Sequence, residues 1–150
     1  MEAYAYGQFL VNLMNGTINW ASDSIMVMLC TSSYVPDQEN HEFKSDIDTL
    51  VVEVDGTNYV AGGVVLANAA VAYSELEGKV LVQADPAAWS EATITARYAI
   101  IYDGTPASPG AQPLIGFLNF GEDKASTSGT FKISFPDGVM IFSIPQPAAS

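Results

Sequence analysis

Apolar and polar side chains alternate from Thr93 onward. Ile94, Ala96, Tyr98, Ile100 and Tyr102 fall on one side of an extended chain, and Thr93, Thr95 and Arg97 on the other. Ala99 and Ile101 make the second face apolar too, so the Trp89–Asp103 stretch is expected to be a strand near the middle of a packed β structure, ending at the Asp103-Gly104 turn. Thr130–Phe135 alternates as cleanly, with Phe131, Ile133 and Phe135 inward. Pro136-Asp137-Gly138 then turns, and Val139–Ile144 returns as the second arm of a terminal hairpin. Ile25–Cys30 has no alternation and suits a strand buried on both faces. Leu114–Phe120 reads as a buried strand, and Lys79–Ala84 as a strand with Val80 and Val82 inward. Val64–Tyr73 reads as a strand broken near Asn68, and Thr17–Trp20 as a short edge strand.

Two stretches carry a helical period instead. Tyr6, Phe9, Leu10 and Leu13 keep i, i+3, i+4, i+7 spacing, and Asn15-Gly16 stops the run. A helix this short is stable only when docked. Ile47, Leu50, Val51 and Val54 repeat the spacing after a capping Ser45 and first-turn Asp46 and Asp48, with Gly56 beyond the end. The β-branched residues of Leu50–Val54 also permit a strand; the helix is preferred because both caps agree with the period. Loops are predicted at Ser32–Phe43, Gly104–Pro113 and Gly121–Gly129, turns at Ser22–Ser24 and Glu75–Gly78, and a loop or single helical turn at Asp85–Ser90. Gly62-Gly63 mark a close backbone approach; without Gly-x-Gly-x-x-Gly spacing they are no phosphate cradle. The fold expected is mainly β, an antiparallel β-sandwich or barrel-like domain with one or two short helices. It is a single domain over 1–150, with an N-terminal helix or arm at 1–16 and a flexible tail at 145–150.

The chain of 150 residues is 49% apolar and only 15% charged, so the apolar surplus points to a core plus a subunit interface. A net charge of −12, with no basic cluster, repels nucleic-acid phosphates and anionic membranes. The acidity also keeps an apolar protein soluble. No apolar run reaches a membrane span, and no standard secretion signal opens the sequence. Cys30, the one cysteine, cannot form an internal disulfide and sits in an apolar run.

Candidate chemistry is sparse. His41, the one histidine, has Asp37, Glu39, Glu42, Asp46 and Asp48 nearby in sequence, but no second imidazole and no calcium-loop spacing. No Gly-x-Ser-x-Gly elbow presents a nucleophile. Asp85 and Asp103 end strands, where turn and cap roles account for them, although paired acids for sugar hydrolysis use the same residue type. Arg97 among so many carboxylates is expected to meet one. Tyr34, Tyr59, Tyr73, Tyr98, Tyr102, Trp20 and Trp89 are scattered, which favours packing over a sugar-stacking platform. The expectation is a non-enzyme with no catalytic, cofactor-binding or metal-binding residues.

Six segments occur in a recognisable order: Gly16-Thr-Ile-Asn-Trp-Ala-Ser-Asp23, Thr31-Ser-Ser-Tyr-Val-Pro-Asp37, Ser45-Asp-Ile47, Tyr59-Val-Ala-Gly-Gly63, Trp89–Asp103, and Pro113-Leu-Ile-Gly-Phe-Leu-Asn-Phe-Gly121. Together they resemble small structural proteins of tailed bacteriophages. The resemblance implies a β-rich virion component, and among those a capsid decoration (cement) protein is preferred. Such proteins are small, often homotrimeric, and made in the host bacterial cytoplasm. They sit on the exterior of the head, bound to the major capsid protein. A tail or fibre component is the near rival, and a host-glycan-binding module the next. Partner contacts are expected from the termini and from the loops Tyr34–Phe43, Asp103–Pro113 and Gly121–Gly129.

Overall fold

The computed structural model describes residues 1–136 and 138–148. The chain is mainly β. Its elements are β1 (Glu2–Ala5), α1 (Phe9–Met14), β2 (Ile25–Cys30), α2 (Lys44–Asp48), β3 (Val64–Val65), β4 (Ala70–Ser74), β5 (Lys79–Gln83), β6 (Ala87–Asp103), a 3-10 turn at Pro109–Ala111, β7 (Leu114–Ile133) and β8 (Met140–Ser143). A five-stranded antiparallel sheet has the order β1-β7-β6-β2-β3, and a three-stranded one β4-β5-β8. The arrangement is sandwich-like, and neither sheet closes into a barrel.

The large sheet is covered on both faces, as expected of its continuous apolar runs. One face carries Val27, Leu29, Ala99, Ile101 and Leu118 against Phe9, Ile18, Trp20 and Leu66, with Val82 and Met140 of the small sheet. The other carries Met28, Cys30, Ile100, Tyr102 and Phe117 beneath Tyr6, Tyr34, Ile47 and Val52. Strand β2 sits between the two layers with five of its six residues buried.

The central strand departs from simple alternation. Ile94 and Ala96 join the first face, but so do Ala99 and Ile101, while Tyr98, Ile100 and Tyr102 join the second. The inversion lies at Arg97. Ala96 pairs with Lys124 and Tyr98 with Asn119, so Phe120–Asp123 stand opposite Arg97 alone. Gly121 accommodates this bulge with φ +80°. Beyond it β7 continues without interruption, so Gly121–Gly129 is not the loop its polarity predicts. Its polar side chains face water on one strand of a long two-stranded ribbon. The partner strand β6 likewise begins at Ala87, inside the expected Asp85–Ser90 loop, and Trp89 pairs with Phe131.

Other expectations are revised by pairing partners that local sequence does not name. The helix over Ser45–Val54 is a single turn, α2. Val51 follows at φ +55°, and Val52–Val54 then lie extended beside β2. Thr31 N donates to Val52 O (2.9 Å) and Val54 N donates to Leu29 O (3.0 Å), so the β-branched run takes an available sheet position. Thr17–Trp20 forms no strand; Ile18 and Trp20 serve as core plugs. The terminal hairpin is absent because β8 pairs with β5. Asp137, in its expected turn, and Ala149 and Ser150 of the expected tail lie outside the described residues. The break at Asn68 is present at φ +53°, and there the chain crosses from β3 in one sheet to β4 in the other.

Candidate functional site

The N-terminal helix is shorter than its apolar period. Tyr6 precedes it and packs on the far face of the large sheet, its hydroxyl 2.7 Å from that of Tyr34. Phe9 anchors α1 in the core, with its ring 6.1 Å from that of Phe142. Trp20 braces the small sheet from below, its indole N–H donating to Gln83 O (3.1 Å). These anchors leave Leu10, Val11 and Met14 on the outer side, with Met14 85% exposed.

The small sheet turns Val71, Tyr73, Val80, Val82 and Phe142 toward one face, since Val71 pairs with Val82, Tyr73 with Val80, and Val80 with Phe142. Between that face and α1 runs a groove lined by Leu10, Leu13, Met14, Val71, Phe142 and Ile144, and among the described residues no charged side chain lines it. Strand β4 is exposed from Ala70 to Tyr73. In a chain of net charge −12, this face is conspicuous for its neutrality as well as its apolarity.

The titratable residues occupy structural positions. His41 Nδ1 lies 2.9 Å from the Tyr34 hydroxyl, and the two rings stack. Asp37, in the same loop, accepts hydrogen bonds from Asn40, and these hold its carboxyl below the usual range. Cys30 is fully buried, and burial, reinforced by Glu53, pushes its thiol up to about 12, which makes it a packing residue. Arg97 does meet a carboxylate: its Nε lies 3.0 Å from Asp123 Oδ1 and clasps the bulge. Asp85 accepts a 2.6 Å hydrogen bond from Asn68 at the crossover. Among the described residues, no three His, Cys, Asp or Glu side chains stand together as metal ligands.

Asp103 is more unusual. It is 1% exposed and accepts a hydrogen bond from Thr105 N (3.0 Å). Burial, then the neighbouring Asp23 carboxyl, raise its own to about 6. A second polar cluster lies behind β2. Glu53 Oε1 accepts from Tyr59 Oη and from Gly62 N, both at 2.6 Å, and Tyr102 Oη donates to Gly62 O (2.5 Å). This cluster fixes the glycine pair, where a Cβ on Gly63 would stand 1.8 Å from Val27 O.

Sequence reasoning named Asp103, Arg97 and the glycine approach, but it missed Asp23, Asp123 and Glu53 as their partners. It also missed the apolar face of the small sheet. The lone signal for that face was the low charge content of Ala69–Tyr73 together with Leu10 and Met14. Of the aromatic residues considered for a stacking platform, Trp20, Tyr34, Trp89 and Tyr102 are buried, while Tyr73 is half-exposed on the apolar face. Comparison with models of protein families, with curated proteins and with solved structures finds no match for the chain.

Proposed function

We propose that this chain is a non-enzymatic structural protein of a tailed-bacteriophage virion, a homo-oligomeric capsid decoration protein that binds the outer shell and stabilises it. The observation that carries the reading is the neutral apolar face formed by α1 and the small sheet on an otherwise acidic β scaffold. Such a face serves assembly with protein. The ordered set of segments that resembles phage structural proteins supports the same reading and supplies its viral context.

The physical logic is consistent with a place outside the shell. An acidic protein there stays clear of the packaged nucleic acid and has no need to neutralise phosphate. Many weak, symmetric contacts with the major capsid protein would sum through multivalency into durable attachment. The long β6–β7 ribbon and the doubly covered sheet provide a stiff body for that work.

Stoichiometry tests the proposal. Quantifying the chain in purified virions should give copies comparable to the number of threefold and quasi-threefold positions on the head. A handful of copies per particle would overturn the decoration role and favour a tail component.

A further inference from the structure

The edges of the two sheets are not equally protected. An unpaired strand edge invites another strand, and proteins usually guard it with charge, proline or brevity. Strand β1 carries Glu2, β3 is two residues long, and β8 is followed at once by Ile144-Pro145. Strand β4 has none of these guards. It reads Ala-Val-Ala-Tyr-Ser, pairs on one side with β5, and meets no other backbone on its outer side among the described residues. Val71 and Tyr73 are each 53% exposed.

We propose that β4 and the groove beside it form a self-association surface. In this contact β4 of one copy pairs antiparallel with β4 of a second across a two-fold axis. The two three-stranded sheets then become one of six, with Val71 and Tyr73 of each copy meeting near the axis.

Two observations select a second copy as the occupant. First, two chains of net charge −12 repel each other over most of their surfaces. Among the described residues the groove holds no charged side chain, so an identical chain can approach there without opposing carboxylates to carboxylates. A strongly basic partner would find nothing to pair with. Second, the area is adequate. Covering the exposed parts of Leu10, Met14, Val71, Tyr73 and Ile144 removes several hundred Å² of apolar surface per copy. That is of the order of the roughly 800 Å² per partner of a stable complex. The contact is two-fold because β4 can pair with its own copy only when the strands run antiparallel about such an axis. The trimer implied by the resemblance would require a different contact. The inference concerns the isolated chain and does not depend on the virion reading.

Sedimentation of the purified full-length chain over a wide concentration range tests it. The expected result is a dimer, or a higher even-numbered species, that tightens as salt screens the remaining repulsion. Val71→Glu should weaken association about ten-fold or more by opposing two like charges across the axis. Val60→Glu, at a site 74% exposed and outside the groove, should leave it unchanged. As a check independent of that variant's folding, Ala72→Cys treated with a short thiol cross-linker should give a covalent dimer, since Cys30 is buried and cannot react in its place. A monomer at every concentration, a trimer, undiminished association of folded Val71→Glu, or no cross-link through residue 72 would overturn the proposal.

Discussion

Asp103 closes β6 with its carboxyl removed from water and beside that of Asp23, and the cost of ionising it there has a pH signature. In the unfolded chain this carboxyl titrates near 4; in the folded chain it titrates at about 6. Between those values unfolding releases a proton, so its contribution to stability falls as the pH rises from about 4 to about 6 and is constant above. Asp103→Asn keeps an acceptor for Thr105 N and offers Asp23 a donor. It should stabilise the chain at pH 7 by on the order of 1 kcal/mol, a gain that disappears near pH 4. Urea denaturation of both proteins at several pH values measures this, and a gap independent of pH would show that ionisation is not its source. The acid itself is visible in the sequence as the last residue of an apolar run. Its partner is not, because Asp23 lies eighty positions earlier and is delivered by the pairing of Ile25 with Asp103.

At the level of elements, glycines separate close approach from mere turning. Gly63 has φ +81°, and a Cβ there would overlap Val27 O, whereas Gly121 has φ +80° with nothing within 4 Å. Gly63→Ala should therefore cost about 4 kcal/mol or more, through steric overlap added to left-handed strain. Gly121→Ala should cost about 1–2 kcal/mol, the left-handed penalty alone. Comparing denaturation midpoints of the two variants checks the ranking. The glycine pair was readable as an approach because paired glycines have few other uses. Strands with apolar faces were readable for a similar reason: Ile25–Cys30 and Thr130–Ile133 must bury what they carry. The failures fall where pairing decides conformation. Gly121–Gly129 reads as loop because polarity reports solvent, and a ribbon edge meets solvent as a loop does. Val52–Val54 became extended because β2 had a vacant edge, which no helical period can report. The reversal of faces at Arg97 needed a bulge in β7, whose residues lie more than twenty positions away.

At the scale of the whole molecule, charge and topology set opposing tendencies. Twelve uncompensated negative charges destabilise the compact chain by self-repulsion, and only five cations stand against the seventeen acids. Raising salt from about 0.01 M to about 1 M shortens the screening length from about 30 Å to about 3 Å. The thermal midpoint at fixed protein concentration should rise accordingly, and calorimetry in sodium chloride reads this directly. A midpoint that falls would mean that the three ion pairs among the described residues, Lys44–Asp48, Arg97–Asp123 and Lys124–Glu122, outweigh the repulsion. Topology adds a mechanical asymmetry. The first and last strands of the chain, β1 and β8, are both edge strands, and each is joined to its sheet by four residue pairs. Strand β6, by contrast, is flanked by β2 and β7 along most of its second half. Tension applied through either of these edge strands therefore peels a short margin first and spares the ribbon. The fold works as a fuse whose sacrificial pieces are its outermost strands.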